Sequence, residues 1–356
     1  MLLSSSLKRT NLYFGLLFIL NSNIYGKELK PIILAGQAGV TGAMDGQGNE
    51  AMFNDPHSLA IDKQGNIYVS DLENDNIRKI DPTGYVSTIA GSEGVTGHTN
   101  GIGTNATFDG PTGIALDSNG NLFVLEIYGM IREISPSGLV TTFSDVGVMK
   151  MEIGPDSKYK LENTSFFMSS GLAIDSNSNV YIADTLHNVI RKITPDGLET
   201  NLAGAYNKKG SSDGIGSEAK FNGPNGIAIS GDGTIYVTDT GNNLIRKISP
   251  DGSVKTIAGK VGKAGSKNGS VSEALFNIPR GIGIDSLNNI YVMDSETNFV
   301  RKISSSGRVT TLAKIPWNPD KNARTLNGGG TDLAVDSNGD VYVADSGNSV
   351  IRKITQ

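Results

Sequence analysis

Short apolar segments alternate with polar turns along the chain from residue 30 to its end. An apolar segment such as 114–117 leads into a turn rich in Asp, Asn and Gly. A second apolar segment follows each turn of this kind, as 235–238 does in a later part of the chain. Apolar, β-branched and aromatic residues in short runs bounded by turn residues are typical of β-strands. No long stretch has the apolar spacing of an α-helix, so the pattern predicts an all-β protein.

The segment that opens each unit recurs six times, 51 to 58 residues apart. Its copies are residues 59–62, 114–117, 172–175, 227–230, 282–285 and 333–336. After a turn and a second strand, each unit has an acid, then a third strand spelled Ile-Arg-Lys-Ile or close to it, and then a fourth strand. Four short antiparallel strands repeated at this period indicate a β-propeller. The prediction is six four-stranded antiparallel blades.

The two ends of the chain complement each other. The last unit stops after its third strand at Ile354, whereas residues 31–36 near the start have the sequence of a fourth strand. We expect this N-terminal strand to complete the C-terminal blade and close the ring, because closure leaves no open sheet edge.

The repeated pattern P-x-G-I-A-(I/L)-D-x-x-G-N-(I/L)-Y-V-x-D-x-x-N-x-x-I-R-K-I resembles the NHL repeat. The long connection A-G…D-G-x-G-x-x-A-x-F-x-x-P is similar to a bacterial and plant subset of that family. The resemblance covers essentially 30–356, with a weak copy at 144–170 and an altered connection at 314–331. It implies a propeller but not a particular function, because NHL propellers serve as sensors, scaffolds and enzymes.

Residues 1–26 differ from the rest of the chain. Lys8 and Arg9 precede a nine-residue apolar run at 12–20, and a polar stretch ending at Gly26 follows. This order is that of a secretory signal peptide, and the run is too short to span a bilayer. The sequence predicts a signal peptide at 1–26, with an uncleaved N-terminal anchor as the alternative, and a propeller at 27–356. We expect an exported protein, periplasmic, cell-surface or extracellular, with no integral membrane span after signal removal.

The composition narrows the chemistry. The chain has no cysteine, which excludes disulfides, thiolate metal sites and a cysteine nucleophile. The net charge of −5 without a basic block gives no reason to expect a nucleic-acid partner. The Arg-Lys pairs of the third strands are predicted to lay their stems across apolar surface with their charges at the rim. Buried phenylalanines are expected at the top of each blade: Phe53, Phe108, Phe166, Phe221 and Phe276.

Two motifs resemble known catalytic or metal sites. Asp239-Thr-Gly and Asp345-Ser-Gly look like the catalytic turns of aspartic proteases, but they occupy one repeat position in different blades and cannot share a proton. The acids at this position are expected to accept hydrogen bonds from the turns that they open. Turns such as Asp117-x-Asn119-x-Asn121 place oxygens as a calcium loop does, yet no bidentate Glu follows. We interpret them as hairpin turns and predict no cofactor, with calcium as the minor alternative.

Seven residues at the start of the innermost strands break the repetition. They should surround the mouth of the central channel, on the side of the longest loops, where polar variation is typical of a grafted binding site. These candidate ligand-binding residues are His57, Thr112, Ser170, Asn225, Arg280, Thr331 and Asp332.

The resulting hypothesis is a binding or scaffold module for a protein, peptide or glycan, acting through the loop-rich face and the channel mouth. The alternative is a metal-dependent lactonase or lyase with its site around His57, Asn225, Arg280 and Asp332; a purely structural surface protein is the third possibility. No catalytic residue is assigned, since the three histidines occupy non-equivalent positions of the repeat.

Overall fold

In the computed structural model, residues 28–145, 150–153, 159–162, 171–317 and 330–356 are described. They form six antiparallel sheets that are the blades of a propeller, and one separate two-stranded ribbon. The first strand, β1 (Ile32–Ala35), is followed by blade 1, which comprises β2 (Gly46–Gln47), β3 (Pro56–Ile61), β4 (Ile67–Asp71), β5 (Asn76–Ile80) and β6 (Tyr85–Ala90). The predicted signal peptide lies outside the described residues.

The next two blades are separated by the ribbon. Blade 2 comprises β7 (Gly101–Ile102), β8 (Pro111–Leu116), β9 (Leu122–Glu126), β10 (Ile131–Ile134) and β11 (Leu139–Ser144). The ribbon comprises β12 (Lys150–Ile153) and β13 (Tyr159–Glu162). Blade 3 comprises β14 (Leu172–Ile174), β15 (Val180–Asp184), β16 (Val189–Ile193) and β17 (Glu199–Ala203).

The remaining blades complete the ring. Blade 4 comprises β18 (Gly214–Ile215), β19 (Pro224–Ile229), β20 (Ile235–Asp239), β21 (Leu244–Ile248) and β22 (Ser253–Gly259). Blade 5 comprises β23 (Gly269–Ser270), β24 (Pro279–Ile284), β25 (Ile290–Asp294), β26 (Phe299–Ile303) and β27 (Arg308–Lys314). Blade 6 comprises β28 (Asp332–Val335), β29 (Val341–Asp345) and β30 (Val350–Ile354), with β1 as its outer strand.

The helices are single 3₁₀ turns in the loops. In the described part of the chain they are Gly48–Glu50, Leu72–Asn74, Gly103–Asn105, Gly216–Glu218, Thr240–Asn242 and Ser346–Asn348. None of the helices in that part is long and apolar enough to cross a membrane.

The six-bladed all-β architecture is confirmed, with one addition to the predicted blade. In blades 1, 2, 4 and 5 the Gly-rich connection contributes a two-residue fifth strand that pairs outside the fourth, as Gly46 does with Val86. The sequence pattern did not indicate this strand, because two residues are too few to show an alternation of apolar and polar positions.

The core lies between adjacent blades rather than within one blade. Six clusters of buried apolar side chains occupy the six junctions, and the cluster between the last and first blades joins Tyr342 and Ile351 to Leu59 and Val69. In blade 6, β1 pairs antiparallel with β30, with Ile32 opposite Lys353. Because each face of a blade packs on a neighbour, both faces of its strands carry buried residues.

Four of the predicted phenylalanines are fully buried in these junctions: Phe53, Phe108, Phe221 and Phe276. Each lies in the cluster that joins its own blade to the preceding one. Phe166 lies outside the described residues. A buried phenylalanine of this kind stabilises the fold by about 1.5–3 kcal/mol relative to an exposed one.

Candidate functional site

The mouth of the central channel lies where the innermost strands begin. A funnel of about 500 Å³, including space open to solvent, is lined there by five of the predicted residues. They are His57, Asn225, Arg280, Thr331 and Asp332. Thr112 is buried beside the funnel and donates to the carbonyl oxygen of Leu125 at 3.0 Å. Ser170 lies outside the described residues.

Glycines next to these residues let the inner strands approach one another closely. A Cβ atom on Gly226 would lie 2.1 Å from the carbonyl oxygen of Arg280, and one on Gly171 would lie 2.0 Å from that of Asn225. Both distances are far below van der Waals contact. The glycine therefore sets the spacing between neighbouring blades and fixes the backbone that carries the next polar side chain of the mouth.

Two side chains replace glycine at this position in the first and last blades. Ser58 and Asp332 stand there, and Ser58 Oγ donates to Asp332 Oδ2 at 2.6 Å. Burial raises the pKa of Asp332 above its ordinary value, although the hydrogen bond from Ser58 acts in the opposite direction. The pair connects the two blades at which the ring closes.

Further hydrogen bonds hold the same edge of the mouth. Thr331 Oγ1 donates to the carbonyl oxygen of His57 at 2.9 Å, and His57 Nδ1 lies 3.1 Å from the carbonyl oxygen of Thr112. A carbonyl oxygen only accepts, so Nδ1 of His57 carries a proton.

Arg280 differs from the third-strand arginines because its guanidinium group forms no ion pair with a described residue. None of the described carboxylates forms an ion pair with Arg280, and its Nε atom is buried without a hydrogen-bond partner. Burial lowers the pKa of Arg280 below its ordinary value. The backbone of the residue is nevertheless held firmly, since Thr238 Oγ1 donates to its carbonyl oxygen at 2.6 Å.

The floor of the funnel is apolar. One residue further along each inner strand, six aliphatic side chains line the channel, and all six are buried. They are Leu59, Ile114, Leu172, Ile227, Ile282 and Leu333. Among the described residues, the mouth thus combines Arg280 and Asp332 at the entrance with an apolar floor below them.

The arginines of the third strands do not keep their charges at the rim, so that prediction was wrong. Arg246 is fully buried and its Nη1 lies 2.7 Å from Asp239 Oδ2, while its Nη2 lies 2.9 Å from Asp213 Oδ1 in the Gly-rich connection. Its guanidinium carbon lies 5.0 Å from the ring centroid of Phe221. The same pairing of arginine with the second-strand acid occurs in all six blades. Only the lysines behave as expected, as Lys79 does over the ring of Tyr68.

The second-strand acids are therefore structural. Besides its arginine, Asp239 accepts from the backbone N–H of Asn222 at 2.8 Å and from Asn242 Nδ2 at 2.8 Å. In blade 4 the backbone donor belongs to the incoming loop rather than to the turn that Asp239 opens. In blade 3 the expected partner is present, since the backbone N–H of His187, in the turn that Asp184 opens, donates to Asp184 Oδ1 at 3.0 Å. Asp345 has its own arginine, Arg352, in another blade. Within the described ranges, neither Asp239 nor Asp345 faces a second carboxylate as a protease dyad requires.

The turns that resemble calcium loops use their oxygens internally. Asp117 Oδ1 accepts from the backbone N–H groups of Asn119 and Asn121 at 2.8 and 2.9 Å, and Asp117 Oδ2 accepts from Asn121 Nδ2 at 2.9 Å. The same aspartate turn recurs at Asp175. Among the described residues there is no group of three or more His, Cys, Asp or Glu side chains that could hold a metal ion.

Exposed apolar side chains in the connections between blades, here called the ring of exposed apolar side chains, were not predicted. In five connections between blades an apolar residue projects from the loop: Val40, Val95, Tyr206, Val261 and Trp317. Val261 is 60% exposed and Trp317 54%. These loops contact the acid-bearing loops, as Asn74 Nδ2 does when it donates to the carbonyl oxygen of Gly42 at 2.8 Å. The repeated tetrapeptide Gly-Val-Thr-Gly at 39–42 and 94–97 is the sequence signal that could have revealed two of them.

Comparison with known proteins agrees with the fold and the repeat. The model of the NHL repeat matches residues 53–80, 221–248 and 331–354. Each match includes a second-strand acid and the arginine that pairs with it. The chain is thus an NHL-repeat β-propeller, as its sequence pattern predicts.

Two relatives have sequences similar to more than half of this chain. SUPPRESSOR OF QUENCHING 1, a chloroplastic protein of Arabidopsis thaliana, is 31% identical over 289 residues, which is 76% of this chain and 27% of that protein. Teneurin-3 of Mus musculus is 28% identical over 227 residues, which is 57% of this chain and 8% of that protein. The chain therefore spans about a quarter or less of the length of these relatives.

A solved structure shares the fold. An auxiliary nutrient binding protein from Bacteroides ovatus superimposes with a TM-score of 0.61 at 16% identity, covering 93% of this chain and 77% of that one. At this level of identity the likeness concerns the fold alone.

Proposed function

We propose that this propeller is an exported binding module that holds a partner protein on its loop-rich face, centred on the channel mouth. The observation that carries the proposal is the ring of exposed apolar side chains that includes Val95, Val261 and Trp317. Exposed apolar residues next to polar groups are typical of protein-docking surfaces.

The polar mouth inside the ring supports the same proposal. Arg280 and Asp332 both line the funnel. Interfaces concentrate their binding energy in a few residues near the centre, with arginine and aromatic residues enriched among them. Trp317 at the ring and Arg280 at its centre are residues of these types. A short peptide or a glycan in place of a folded protein is an outcome of the test.

The lactonase or lyase alternative has no comparable support. It requires a set of metal ligands, and the described part of the chain contains no suitable group of His, Asp and Glu side chains. The docking hypothesis requires only exposed apolar side chains in the connections between blades, such as Val95 and Val261.

The test compares the two faces of the disc. Binding partners are captured from the envelope and medium of the producing cells with the wild-type protein, with the double variant Val95→Asp/Val261→Asp, and with Leu287→Asp. Leu287 is 73% exposed in the turn between β24 and β25, at the opposite end of β24 from Arg280, and so provides a matched control. The expected result is one protein retained by the wild type and Leu287→Asp and lost from the double variant. Equal retention by all three variants, or binding confined to a glycan array, would reject protein docking on this face.

Export is tested separately. Residues 1–26 fused to a reporter that is active only outside the cytoplasm should give activity, and a fusion lacking the apolar run 12–20 should not. Activity in neither fusion would contradict the proposed localisation.

A further inference from the structure

We propose that the channel mouth binds a single carboxylate group of the partner, with Arg280 as the cation that receives it. This inference rests on the proposed function and specifies the ligand chemistry of the same site. It concerns a group that protrudes into the funnel, below the surface on which the apolar loops dock.

The first argument is charge balance. The third-strand arginines, of which Arg246 is typical, each have an acid in direct contact. Arg280 has none among the described residues. Its Nε atom is buried without a partner, as that of Arg246 also is, so the missing ion pair is what distinguishes Arg280. Burying an unpaired guanidinium group is unfavourable, and an anion that enters the funnel supplies the missing charge and acceptor.

The second argument is the rigidity of the support. The carbonyl oxygen of Arg280 accepts from Thr238 Oγ1 at 2.6 Å, and Gly226 packs against the same carbonyl without room for a Cβ atom. Thr238 Oγ1 also accepts from the backbone N–H of Gly226 at 2.7 Å. The main chain that carries Arg280 is therefore held in place before any ligand arrives, which reduces the entropy cost of binding.

The third argument selects a carboxylate over a phosphate. Arginine binds both groups through a planar pair of N–H donors. However, Asp332 lies in the same funnel beside Gly281, with its Oδ1 atom 2.8 Å from the position that a Cβ on that glycine would take. An ionised Asp332 disfavours a doubly charged phosphate in this funnel more than a singly charged carboxylate.

The fourth argument is the apolar floor. Aliphatic side chains such as Ile227 and Ile282 begin directly below the polar entrance and are buried. They can contact the methylene groups of an acidic side chain, or the last side chain of a chain terminus. Both sources present the same carboxylate chemistry, and the experiment distinguishes them.

The test uses three small probes on the purified protein, followed by NMR of the arginine Nε–H signals and by calorimetry. N-acetyl-leucine presents a terminal carboxylate, N-acetyl-glutamate α-amide presents a side-chain carboxylate, and N-acetyl-leucinamide is the neutral control. We expect a saturable shift of the Arg280 signal with one or both acids and no shift with the amide. The acid with the higher affinity identifies the source.

Variants locate the site. Arg280→Gln should weaken binding of the acid by at least about tenfold, since a charge-assisted hydrogen bond contributes more than 1.4 kcal/mol. Arg308→Gln, the same change at an exposed residue in the outer strand of the same blade, should leave it unchanged. If neither acid shifts the wild-type signal, or if the amide shifts it equally, the inference is wrong, whether or not Arg280→Gln folds.

The outcomes separate this inference from the docking proposal. A partner lost from Val95→Asp/Val261→Asp, together with no response to the acids, keeps protein docking and rejects the carboxylate site. A response to the acids, together with a partner retained by the double variant, keeps the carboxylate site and rejects docking on the apolar ring.

Discussion

Ser58 Oγ and Asp332 Oδ2 lie 2.6 Å apart although the two residues are separated by 274 positions in the sequence. They occupy the position of the inner strand that Gly171, Gly226 and Gly281 occupy in blades 3, 4 and 5. The hydrogen bond therefore connects the first blade to the last at the channel, on the opposite side of the blade from the pairing of β1 with β30. The ring is closed at both its inner and its outer edge.

Removing the donor should weaken this closure. Ser58→Ala leaves the carboxylate of Asp332 without its hydroxyl partner, and we expect a loss of about 1–3 kcal/mol in the free energy of unfolding, measured by denaturant titration. The pKa of Asp332, followed by carboxyl NMR, should rise further because the donor that lowers it is gone. The matched control is Ser118→Ala in an exposed turn. Equal unfolding midpoints for the two variants would show that the pair contributes nothing.

The glycine at the blade junction should tolerate no side chain. In Gly226→Ala the new methyl group meets the carbonyl oxygen of Arg280 at 2.1 Å, and a backbone atom cannot move aside as a flexible side chain can. The expected loss is about 1–3 kcal/mol or more in the free energy of unfolding. Gly231→Ala is the control, since a Cβ there has no heavy atom within 4 Å. A Gly226→Ala protein as stable as the control contradicts the steric argument.

The buried arginine of a blade should be costly to remove alone. Arg246→Met leaves the carboxylate of Asp239 buried and uncompensated, and we expect a loss of about 3–5 kcal/mol in the free energy of unfolding. Adding Asp239→Asn removes the stranded charge and should recover part of this loss. Lys247→Met, one residue further on the same strand, is the control and should have a small effect because Lys247 is partly exposed. If Arg246→Met matches the control, the ion pair is not what stabilises the blade.

The aspartate turns should make stability depend on pH in the acid range. Burial acts to raise the pKa of Asp175, but hydrogen bonds from Asn179, Tyr181 and the backbone of the turn hold it below the ordinary value. Because the folded-state pKa is lowered, the stabilisation is present above the unfolded value of about 3.9 and is lost as the pH falls through the folded value.

The measurement for this turn is a carboxyl NMR titration of the wild type and of Tyr181→Phe. Loss of the hydroxyl, whose Oη atom lies 3.0 Å from Asp175 Oδ2, should raise the pKa of Asp175 toward its ordinary value. Tyr85→Phe, at an exposed tyrosine, should leave it unchanged. An identical titration curve in wild type and Tyr181→Phe would refute the role of the hydroxyl.

The amino-acid sequence predicts more of the fold than of the candidate site. The six units and their strand order follow from a local pattern that each unit repeats, and it was enough to place His57 and Arg280 at the start of inner strands. The hydrogen-bond and ion-pair partners of these residues could not be predicted from the sequence. Local rules place Arg246 at the rim, because a lone arginine in a strand extends its charge to water. In the structure, Asp239, Asp213 and Phe221 together provide its guanidinium group with a buried site.

What the sequence determined by itself is the repeating unit, because alternating apolar positions and Asp-rich turns act over a few residues. Only the tertiary structure decided which side chains meet across blades. Three features depend on how near one blade comes to the next. They are the hydrogen bond between Ser58 and Asp332, the close approach of Gly226 to Arg280, and the lack of an ion pair between Arg280 and any described carboxylate. That distance results from packing in the six junctions, which no single repeat contains.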